Sequence, residues 1–459
     1  MTELELKAWA GSFASFTARF THLFSRPEPG QQMSKYLRAL LANLPRKNGW
    51  QTAELVGDRS PAKMQHLLNQ ARWDADAARD LLQTYIIEQF GEPEAIAVLD
   101  ETGFLKHGSQ SVGVKRQYTG TAGKVTNCQV ATFLSYASSQ GHVLLDRRLY
   151  LPVEWCADTA RRERAKVPAG VEFATKPEHG IAMLKHAWAA GVPMRWVAGD
   201  AIYGSSPALR QAIAEQGKLY VLAVNSNLPV WLVQPTLAAP PPASSEQGRP
   251  HDHTIVTASA KWQTAARVLT SVNVELAWER LSAGQGEQGE REYDWARVQV
   301  WESEDGRPGR RSWLLLRRSI SAAQEVAYYL SNAGVEVSLK QLAEVAGRRW
   351  TIEQCFAEAK GEVGLDEYEV RQYGAWYRHI TLAMMAHSWL AATRASAGEK
   401  GGGAAEVGRV ERGGSAAVVG SGIGAGTKER GASAVVVSLA AGQATGSTGQ
   451  PQGATTAAG

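Results

Sequence analysis

The chain has 459 residues, a formal net charge of +4, 44% apolar residues and 20% charged residues. This length exceeds one ordinary hydrophobic core, so we expect two to four domains in a chain of globular composition. Three scattered cysteines without a CxxC pair exclude a disulfide framework and a cysteine zinc site, and the weak positive charge permits a polyanionic partner without arguing for one.

The amino-terminal segment, residues 1–92, is predicted to be all-α. Phe13, Phe16, Phe20 and Phe24 recur at three- and four-residue spacing, as on one face of a helix. We interpret this stripe as a packed helical core rather than a binding surface. The segment begins without a signal-peptide pattern, and no apolar run in the chain reaches about 18 residues. We therefore expect a soluble, intracellular protein without a membrane span.

From residue 93 the pattern changes to strands. Ala95–Leu99 is an apolar run that ends in Asp100-Glu101, and Met194–Gly199 is a second run that ends in Asp200. Short apolar runs with polar residues at their ends are typical of buried strands. We predict further strands at 111–118, 129–136, 143–150 and 220–224 and helices at about 156–166, 177–190 and 207–216. Together these elements predict an α/β sheet over 93–225.

The segment 226–311 interrupts this alternation. It is rich in proline and polar residues and carries β-like stretches, so we predict a β-rich insertion with loose loops. The α/β core resumes over 312–395 with a strand at 313–316 and helices at about 321–333, 338–363 and 375–393.

The carboxyl-terminal segment, 396–459, is rich in Gly, Ala, Ser and Val and has no helical or strand period. Such a segment buries too little surface to offset the entropy of ordering, so we predict a disordered tail. Its abrupt onset raises the hypothesis that the native reading frame was lost near residue 400. Sequencing of related copies would reject that hypothesis if the same tail recurred in an intact frame.

Three carboxylates carry the candidate chemistry. Asp100 and Asp200 follow apolar strands, where a parallel or mixed sheet presents side chains to a crevice. An acid in such a place is more often a turn or cap residue, but two such strand ends followed by an acidic helix are more specific. On that helix, Arg349, Glu353 and Lys360 fall within about 40° of one another at 100° per residue. Glu358 points away from this stripe, and we interpret it as a solvated charge.

Carboxylates in this combination suit metal-assisted cleavage of a phosphodiester. Two Mg²⁺ ions, with Mn²⁺ as a substitute, activate the attacking oxygen and stabilise the leaving one, and both ions prefer Asp and Glu oxygens. We expect Asp100 to bridge two ions, with Asp200 and Glu353 each completing one side. Arg349 and Lys360 would then hold flanking phosphates. The alternative for this helix is an ordinary amphipathic surface with an i, i+4 Arg–Glu pair.

The chain resembles the DDE transposases of bacterial insertion sequences, within the insertion sequence 4 superfamily. That group carries a Tyr-x2-Arg-x3-Glu-x6-Lys signature, which Arg349, Glu353 and Lys360 match and Ala346 does not. Further motifs, similar to the insertion sequence 701 branch, are Leu99–Phe104, Ser111–Val114, Arg116–Tyr118, Leu149–Pro152, Gly199-Asp200 with Tyr203-Gly204, Arg46-Lys47-Asn48 and Trp73-Asp74.

The resemblance implies an RNase H-like core with a β-rich insertion before the Glu353 helix and a DNA-binding helical domain in front. It also implies cut-and-paste transposition of double-stranded DNA at terminal inverted repeats and into target DNA. We expect a homodimer in the synaptic complex, action on nucleoid DNA in the bacterial cytoplasm, and phosphate contacts by Arg46 and Lys47. The tryptophans that this family places near a flipped base could be among Trp262, Trp278, Trp295, Trp301 and Trp313, although for each of them we favour a place in the aromatic core of a small β domain.

Two other functions stay open at this point. An RNase H-fold nuclease would keep metal-dependent cleavage without strand transfer, but it would have no evident use for the helical domain and the insertion. A catalytically silent DNA-binding or regulatory remnant is suggested by the unusual tail, whereas the three intact acids favour an active enzyme.

Overall fold

The computed structural model describes residues 3–238, 255–256, 262–271, 274–286, 289–304 and 307–400. The first described segment begins with helices, and a 3₁₀ turn at Thr21–Leu23 separates the first two. These helices are α1 (Glu3–Ala18), α2 (Pro27–Leu41), α3 (Gly49–Leu55), α4 (Ala62–Asn69) and α5 (Ala75–Phe90).

The phenylalanine stripe is buried, as the sequence predicts, but it does not lie on one helix. Phe13 and Phe16 belong to α1, whereas Phe20 and Phe24 flank the 3₁₀ turn. The turn preserves the inward direction of the rings because Phe16 packs edge-on against Phe20, with ring centroids 5.3 Å apart. The interpretation as packed core is therefore confirmed, and the assumption of one continuous helical face is wrong.

Most of the strands form one large mixed sheet. They are β1 (Ile96–Leu105), β2 (Lys115–Thr119), β3 (Lys124–Ser138), β4 (Gly141–Tyr150), β5 (Trp196–Gly199), β6 (Leu219–Val224), β7 (Pro229–Trp231), β8 (Leu237–Ala238), β9 (Ile255–Val256), β10 (Gln263–Thr264), β11 (Glu279–Gly286), β12 (Gly289–Glu304), β13 (Arg307–Arg318) and β14 (Val326–Ser331). Strands β8 and β9 pair separately from the large sheet.

The order in the large sheet is β10-β7-β12-β13-β14-β6-β5-β1-β3-β2, with β4 also on β3 and β11 on β12. Strands β1, β5 and β6 run parallel to one another, and the other pairings are antiparallel. Because β14 pairs with β6, the strands of the predicted insertion extend the sheet of the core. The predicted α/β class with a large sheet is confirmed at this level.

Helices cover the sheet and connect its strands. They are α6 (Val153–Ala157), α7 (Thr159–Arg164), α8 (Lys176–Ala189), α9 (Ala201–Gly204), α10 (Pro207–Glu215), α11 (Ala265–Val268), α12 (Leu339–Arg348), α13 (Trp350–Val363) and α14 (Tyr373–Lys400). Helix α14 contacts α2, α4, α5, α13 and β4. It is apolar around much of its circumference, which is typical of a buried helix, and Trp376, Ile380 and Met384 are fully buried.

Two predicted elements differ from the structure. The helix expected at 321–333 is instead strand β14, which fills the space between β13 and β6. The segment carries a β-branched valine and two tyrosines, which pack well in a sheet, and its pairing with both neighbouring strands overrides the helical preference of the alanines before it. The helix expected at 338–363 is divided into α12 and α13, with Arg349 at the junction.

At the carboxyl terminus, α14 continues to Lys400, past the predicted start of the disordered tail at residue 396. The rest of the predicted tail, 401–459, lies outside the described residues. In the described part of the chain, none of the helices combines the length and apolar character needed to cross a bilayer.

Candidate active site

Asp100 and Asp200 lie side by side at the carboxyl ends of two parallel strands. Leu99 of β1 is paired in register with Gly199 of β5, and each aspartate is the next residue. Asp200 also begins α9, where its carboxylate accepts hydrogen bonds from the backbone N–H groups of Ile202 (2.9 Å) and Tyr203 (3.4 Å). The cap fixes the direction of the Asp200 carboxylate at the strand end. The structure thus brings together two acids that are 100 positions apart in the sequence.

The Asp100 carboxyl is partly buried, with 16% of its side chain exposed. Burial raises its pKa to about 7, and the nearby charges of Asp200 and Glu101 act in the same direction. A hydrogen bond from the Glu101 backbone N–H and the charge of Arg349 act in the opposite direction. Asp100, Asp200 and Glu101 therefore bring several carboxylates together where little water can solvate them. A bound cation would be strongly favoured beside such a group.

Arg349 lies between two of the candidate acids. Its Nη2 donates to Glu353 Oε1 at 2.8 Å, and its Nη1 lies 3.5 Å from Asp100 Oδ2. Burial, the largest single effect, acts to lower the pKa of Arg349, but the charges of Glu353 and Asp100 and the hydrogen bond with Glu353 together outweigh it and raise the pKa. The expected i, i+4 pair is therefore present, and its guanidinium also connects α13 to β1.

Carboxylate oxygens are the ligand type that Mg²⁺ and Mn²⁺ prefer, so the chemistry of these side chains fits such ions. Among the described residues, however, no group of three or more His, Cys, Asp or Glu side chains is arranged to hold a metal ion. The guanidinium of Arg349 occupies the space between the carboxylates of Asp100 and Glu353.

Lys360 projects from the same side of α13 as Glu353 and reaches β1 two residues beyond Asp100. Its Nζ donates to Thr102 Oγ1 (2.8 Å), the Gly103 carbonyl (3.2 Å) and Thr121 Oγ1 (3.4 Å). Burial lowers its pKa from the ordinary value, although the charge of Asp366 opposes this effect. Lys360 therefore ties α13 to β1 and keeps a cation near the acidic strand end.

Glu101, the residue after Asp100, is held by hydrogen bonds from two other side chains. The Glu101 carboxylate receives hydrogen bonds from Lys176 Nζ at 2.5 Å and from the Tyr203 hydroxyl at 3.2 Å. Tyr203 is fully buried, and Lys176 is the first residue of α8. Tyr203 belongs to a motif that is recognisable in the sequence, whereas the roles of Glu101 and Lys176 are visible only in the structure.

An open cleft of about 920 Å³ adjoins Asp200. We call it the Asp200 cleft. Its walls come from six separate parts of the chain, and its lining includes Asp200, Ala201, Ala223, Ala283, Gly289, Glu290, Arg291, Tyr293, Arg317, Tyr329, Ala346, Gly347, Arg349 and Trp350. Arg349 and Ala346 were predictable from the signature spacing, whereas the other arginines and the aromatic residues were not, because only the fold brings them together.

The structure separates the two amino-terminal residues that were expected to contact DNA. Arg46 is exposed, whereas Lys47 is 6% exposed. Lys47 Nζ donates to the backbone carbonyls of Leu40, Ala42 and Glu362, and burial lowers its pKa to about 8. The expected phosphate contact of Lys47 is wrong for this reason, since its ammonium is already enclosed by protein.

The interpretation of Glu358 as a solvated charge is also wrong. Its Oε2 lies 3.2 Å from His387 Nε2 and 3.4 Å from His142 Nε2, and about a third of the side chain is exposed. Glu358 therefore connects the back of α13 to α14 and β4, while Glu353 faces the strand end.

The five tryptophans considered for a flipped base do not line the Asp200 cleft. Trp295 is fully buried and lies 5.7 Å from Tyr329 between ring centroids, as in an aromatic core. Trp350, which was not among the five, is the tryptophan in the lining.

Comparison with known proteins identifies the family of the chain. The family described as DDE superfamily endonuclease matches residues 19–290, which include Asp100 and Asp200 but not Glu353. A probable transposase for insertion sequence element IS701 from Microchaete diplosiphon is 24% identical over 341 residues, which cover 74% of this chain and 77% of the relative. The resemblance predicted from the motifs is thereby confirmed.

Two solved structures give weak overall similarity. A cryo-EM structure of the piggyBac transposase synaptic complex with hairpin DNA aligns at a TM-score of 0.37 and 11% identity, over 86% of this chain and 66% of that chain, just under two thirds of its length. The NurA nuclease from Sulfolobus solfataricus aligns at 0.22 and 9% identity, over 65% and 82%. Scores below 0.5 carry no inference about fold or function. The family match alone covers more than half of the sequence, so the chain belongs to the DDE superfamily endonucleases and is an enzyme of the nuclease and transposase class.

Proposed function

We propose that the chain is a DNA transposase that cuts and joins DNA at the terminal inverted repeats of an insertion sequence, with Asp100, Asp200 and Glu353 as its metal-binding acids. The observation that carries this proposal is the register of β1 and β5, which sets Asp100 beside Asp200 within the part of the chain that matches the family. Glu353 is added because Arg349 connects it to Asp100.

The order of the first core strands supports an RNase H-like core. Strands β4, β3, β1, β5 and β6 lie in that spatial order, with an antiparallel hairpin on one side of β1 and two parallel strands on the other. In such a sheet the carboxyl ends of the parallel strands form the usual position for catalytic side chains. We retain the domain layout on this basis, with a DNA-binding helical domain at 1–92, the core at 93–225 and 312–395, and the β-rich insertion at 226–311.

The proposed metals are two Mg²⁺ ions, with Mn²⁺ as a substitute. When bound, they would activate the attacking hydroxyl and stabilise the leaving oxygen of a phosphodiester. The chain itself supplies hard oxygen ligands from Asp100, Asp200 and Glu353. Asp100 suits the shared position because it lies beside Asp200 on the neighbouring strand and is connected through Arg349 to Glu353.

The cationic residues around the acids have a separate task. Arg349 contacts both Asp100 and Glu353, and its planar fork can also bind a phosphate. Lys360 keeps a point charge near the same strand end, and Arg46 is exposed on the helical domain. We propose that these three side chains contact phosphates of double-stranded DNA, and that two copies of the chain act together on paired ends in the nucleoid.

The proposal is tested by incubating the purified full chain with DNA that flanks its own gene, with and without Mg²⁺ or Mn²⁺. We expect metal-dependent cleavage at the repeat ends and joining of the freed 3′ ends to a plasmid target. Removal of one metal-ligating acid commonly abolishes such activity, so Asp100→Ala should reduce both reactions by at least about a thousandfold.

Each alternative function predicts a different result. Cleavage without joining would identify a nuclease, and DNA binding without any metal-dependent cleavage would identify a silent remnant. Cleavage that survives Asp100→Ala would reject the assignment of the acids. Exposed Asp158, which caps the short helix α7, provides a control, since Asp158→Ala should leave both reactions unchanged.

A further inference from the structure

The lining of the Asp200 cleft contains more arginines than acidic residues. Three arginines line it, namely Arg291, Arg317 and Arg349. The charges of all three affect the hydroxyl of Tyr329, which shows that they converge on one wall. Arg349 forms ion pairs with Asp100 and Glu353. These ion pairs do not account for the positive charges of Arg291 and Arg317 in the cleft.

Arg317 forms no ion pair with a carboxylate in the part of the chain that the structure describes. Its guanidinium lies 4.4 Å from the ring centroid of Tyr293 and 5.8 Å from that of Tyr329. Stacking on these rings orients the flat guanidinium but leaves its charge without a counterion. The next residue, Arg318, points to the other face of β13 and is paired with Asp294 at 3.3 Å.

Arg291 is held from one side only. Its Nη2 donates to the carbonyls of Ala283 (3.1 Å) and Gly347 (3.3 Å), and its guanidinium faces Trp350 at 5.6 Å. Its Nε is buried and has no hydrogen-bond partner. Among the described residues, Nη2 alone makes hydrogen bonds from this guanidinium, so Nη1 is left to donate to an anion in the cleft.

The remaining lining limits the choice of ligand. Ala346 and Gly347 are small and leave the cleft open beside the arginines. Two acids, Asp200 and the exposed Glu290, also face it, so a large uniformly anionic surface would be repelled there. A single phosphodiester strand fits best, because its phosphates can reach the guanidiniums while it passes Asp200, where the cutting would occur.

We propose that Arg317 and Arg291 form a phosphate-binding wall that holds the DNA strand next to the cleaved bond, in a chain that has Ala346 at the tyrosine position of the family signature. This inference rests on the proposed function. It assigns the two arginines, which lie outside the signature, to binding of the substrate backbone rather than to the chemistry of cleavage.

The test measures the affinity of the full chain for a labelled DNA duplex in EDTA at several salt concentrations, so that cleavage plays no part. Each lost phosphate contact lowers the slope of log affinity against log salt concentration by about one. Arg317→Ala should therefore lower that slope by about one and weaken binding about tenfold at low salt. Arg318→Ala, the neighbour on the opposite face, should change neither quantity.

A charge-preserving variant separates binding from folding. Arg317→Lys keeps the positive charge, so its slope should stay near that of the wild type even if its affinity falls. A wild-type slope for Arg317→Ala, or a slope for Arg317→Lys as low as that of Arg317→Ala, would overturn the phosphate-binding wall. Failure of the wild-type chain to bind DNA at all would instead reject the proposed function and this inference together.

Discussion

Leu99 and Gly199 face each other in register on parallel strands, and the next residue on each strand is a candidate catalytic aspartate. The spacing of paired parallel strands is about 4.8 Å, so the two carboxylates leave the sheet from neighbouring positions. Like charges this close raise each other's energy unless a cation lies near them. In this structure the nearby cation is the guanidinium of Arg349, whose contacts are with Asp100 and Glu353.

The position of Arg349 leads to a prediction about metal binding without DNA. Because its guanidinium occupies the oxygens that a metal would use, Arg349→Ala should bind Mn²⁺ about tenfold more tightly than the wild type, a difference of ~1.4 kcal/mol. Isothermal titration calorimetry on the DNA-free chain measures this directly. Exposed Arg348 is the matched control, and Arg348→Ala should titrate like the wild type. Equal affinities for wild type and Arg349→Ala would mean that the guanidinium does not compete with metal.

Arg46 and Lys47 should have opposite phenotypes although they are adjacent. Arg46 is exposed, so Arg46→Ala should weaken DNA binding while changing the free energy of unfolding by less than about 0.5 kcal/mol. Lys47→Met removes an ammonium that serves three backbone carbonyls, so it should cost about 3 kcal/mol of stability. Urea denaturation and DNA-binding titrations on both variants check this pair. A large loss of DNA affinity in a stably folded Lys47→Met protein would contradict the placement of Lys47.

This pair also shows what the sequence could and could not reveal. Both residues follow Pro45 and both are basic, so nothing local distinguishes a surface cation from a buried one. The difference arises from the end of α13, where Glu362 offers its carbonyl and Gly364 leaves space for the Lys47 side chain. By contrast, the two aspartates were predictable because each ends a short apolar run, and that pattern is local.

Other features depend on pairing between distant segments. Val326–Ser331 follows an alanine-containing stretch and was predicted as helix, but its partners are β13 and β6, the latter about a hundred residues earlier. The Asp200 cleft joins residues from Asp200 to Trp350 across six separate segments. Single-sequence periodicity contains no information about which strands become neighbours, so neither feature could be read from it.

Glu358 should make the stability of the chain depend on pH in the acidic range. Burial acts to raise its pKa, but the close contacts with His142 and His387 lower it well below the ordinary 4.5. The folded state therefore binds fewer protons than the unfolded state at this site. Its contribution to stability is present above about pH 4.5 and is lost as the pH falls towards the folded-state pKa.

Comparison of the wild type with Glu358→Gln tests this dependence. The difference in their free energies of unfolding should be largest near neutral pH and should narrow between about pH 5 and pH 3. Glu88, in a solvent-exposed pair with Arg19, is the control, and Glu88→Gln should differ little from the wild type at any pH. A Glu358→Gln difference that stays constant down to about pH 3 would show that the carboxylate is not held in its charged form.

Two helical glycines should respond in opposite ways to the same substitution. A Cβ at Gly347 of α12 would collide with the backbone carbonyl of Ala283 in β11, where the helix and strand form part of the Asp200 cleft. A Cβ at Gly361 of α13 would meet no atom within 4 Å. In a helix, alanine is more favourable than glycine by up to about 1 kcal/mol at both positions. If the two substitutions change the free energy of unfolding in opposite directions, the difference is therefore caused by the collision at Gly347.

We therefore expect Gly361→Ala to be neutral or to stabilise the chain by up to about 1 kcal/mol, and Gly347→Ala to destabilise it by about 2 kcal/mol. The collision involves backbone on both sides, so a side-chain rotation cannot relieve it, and α12 must move away from β11. Urea denaturation midpoints of the two variants measure the effect. If Gly347→Ala stabilised the chain as much as Gly361→Ala, α12 would not approach β11 this closely in solution. The part of the Asp200 cleft that Gly347 and Ala283 line would then have a different structure.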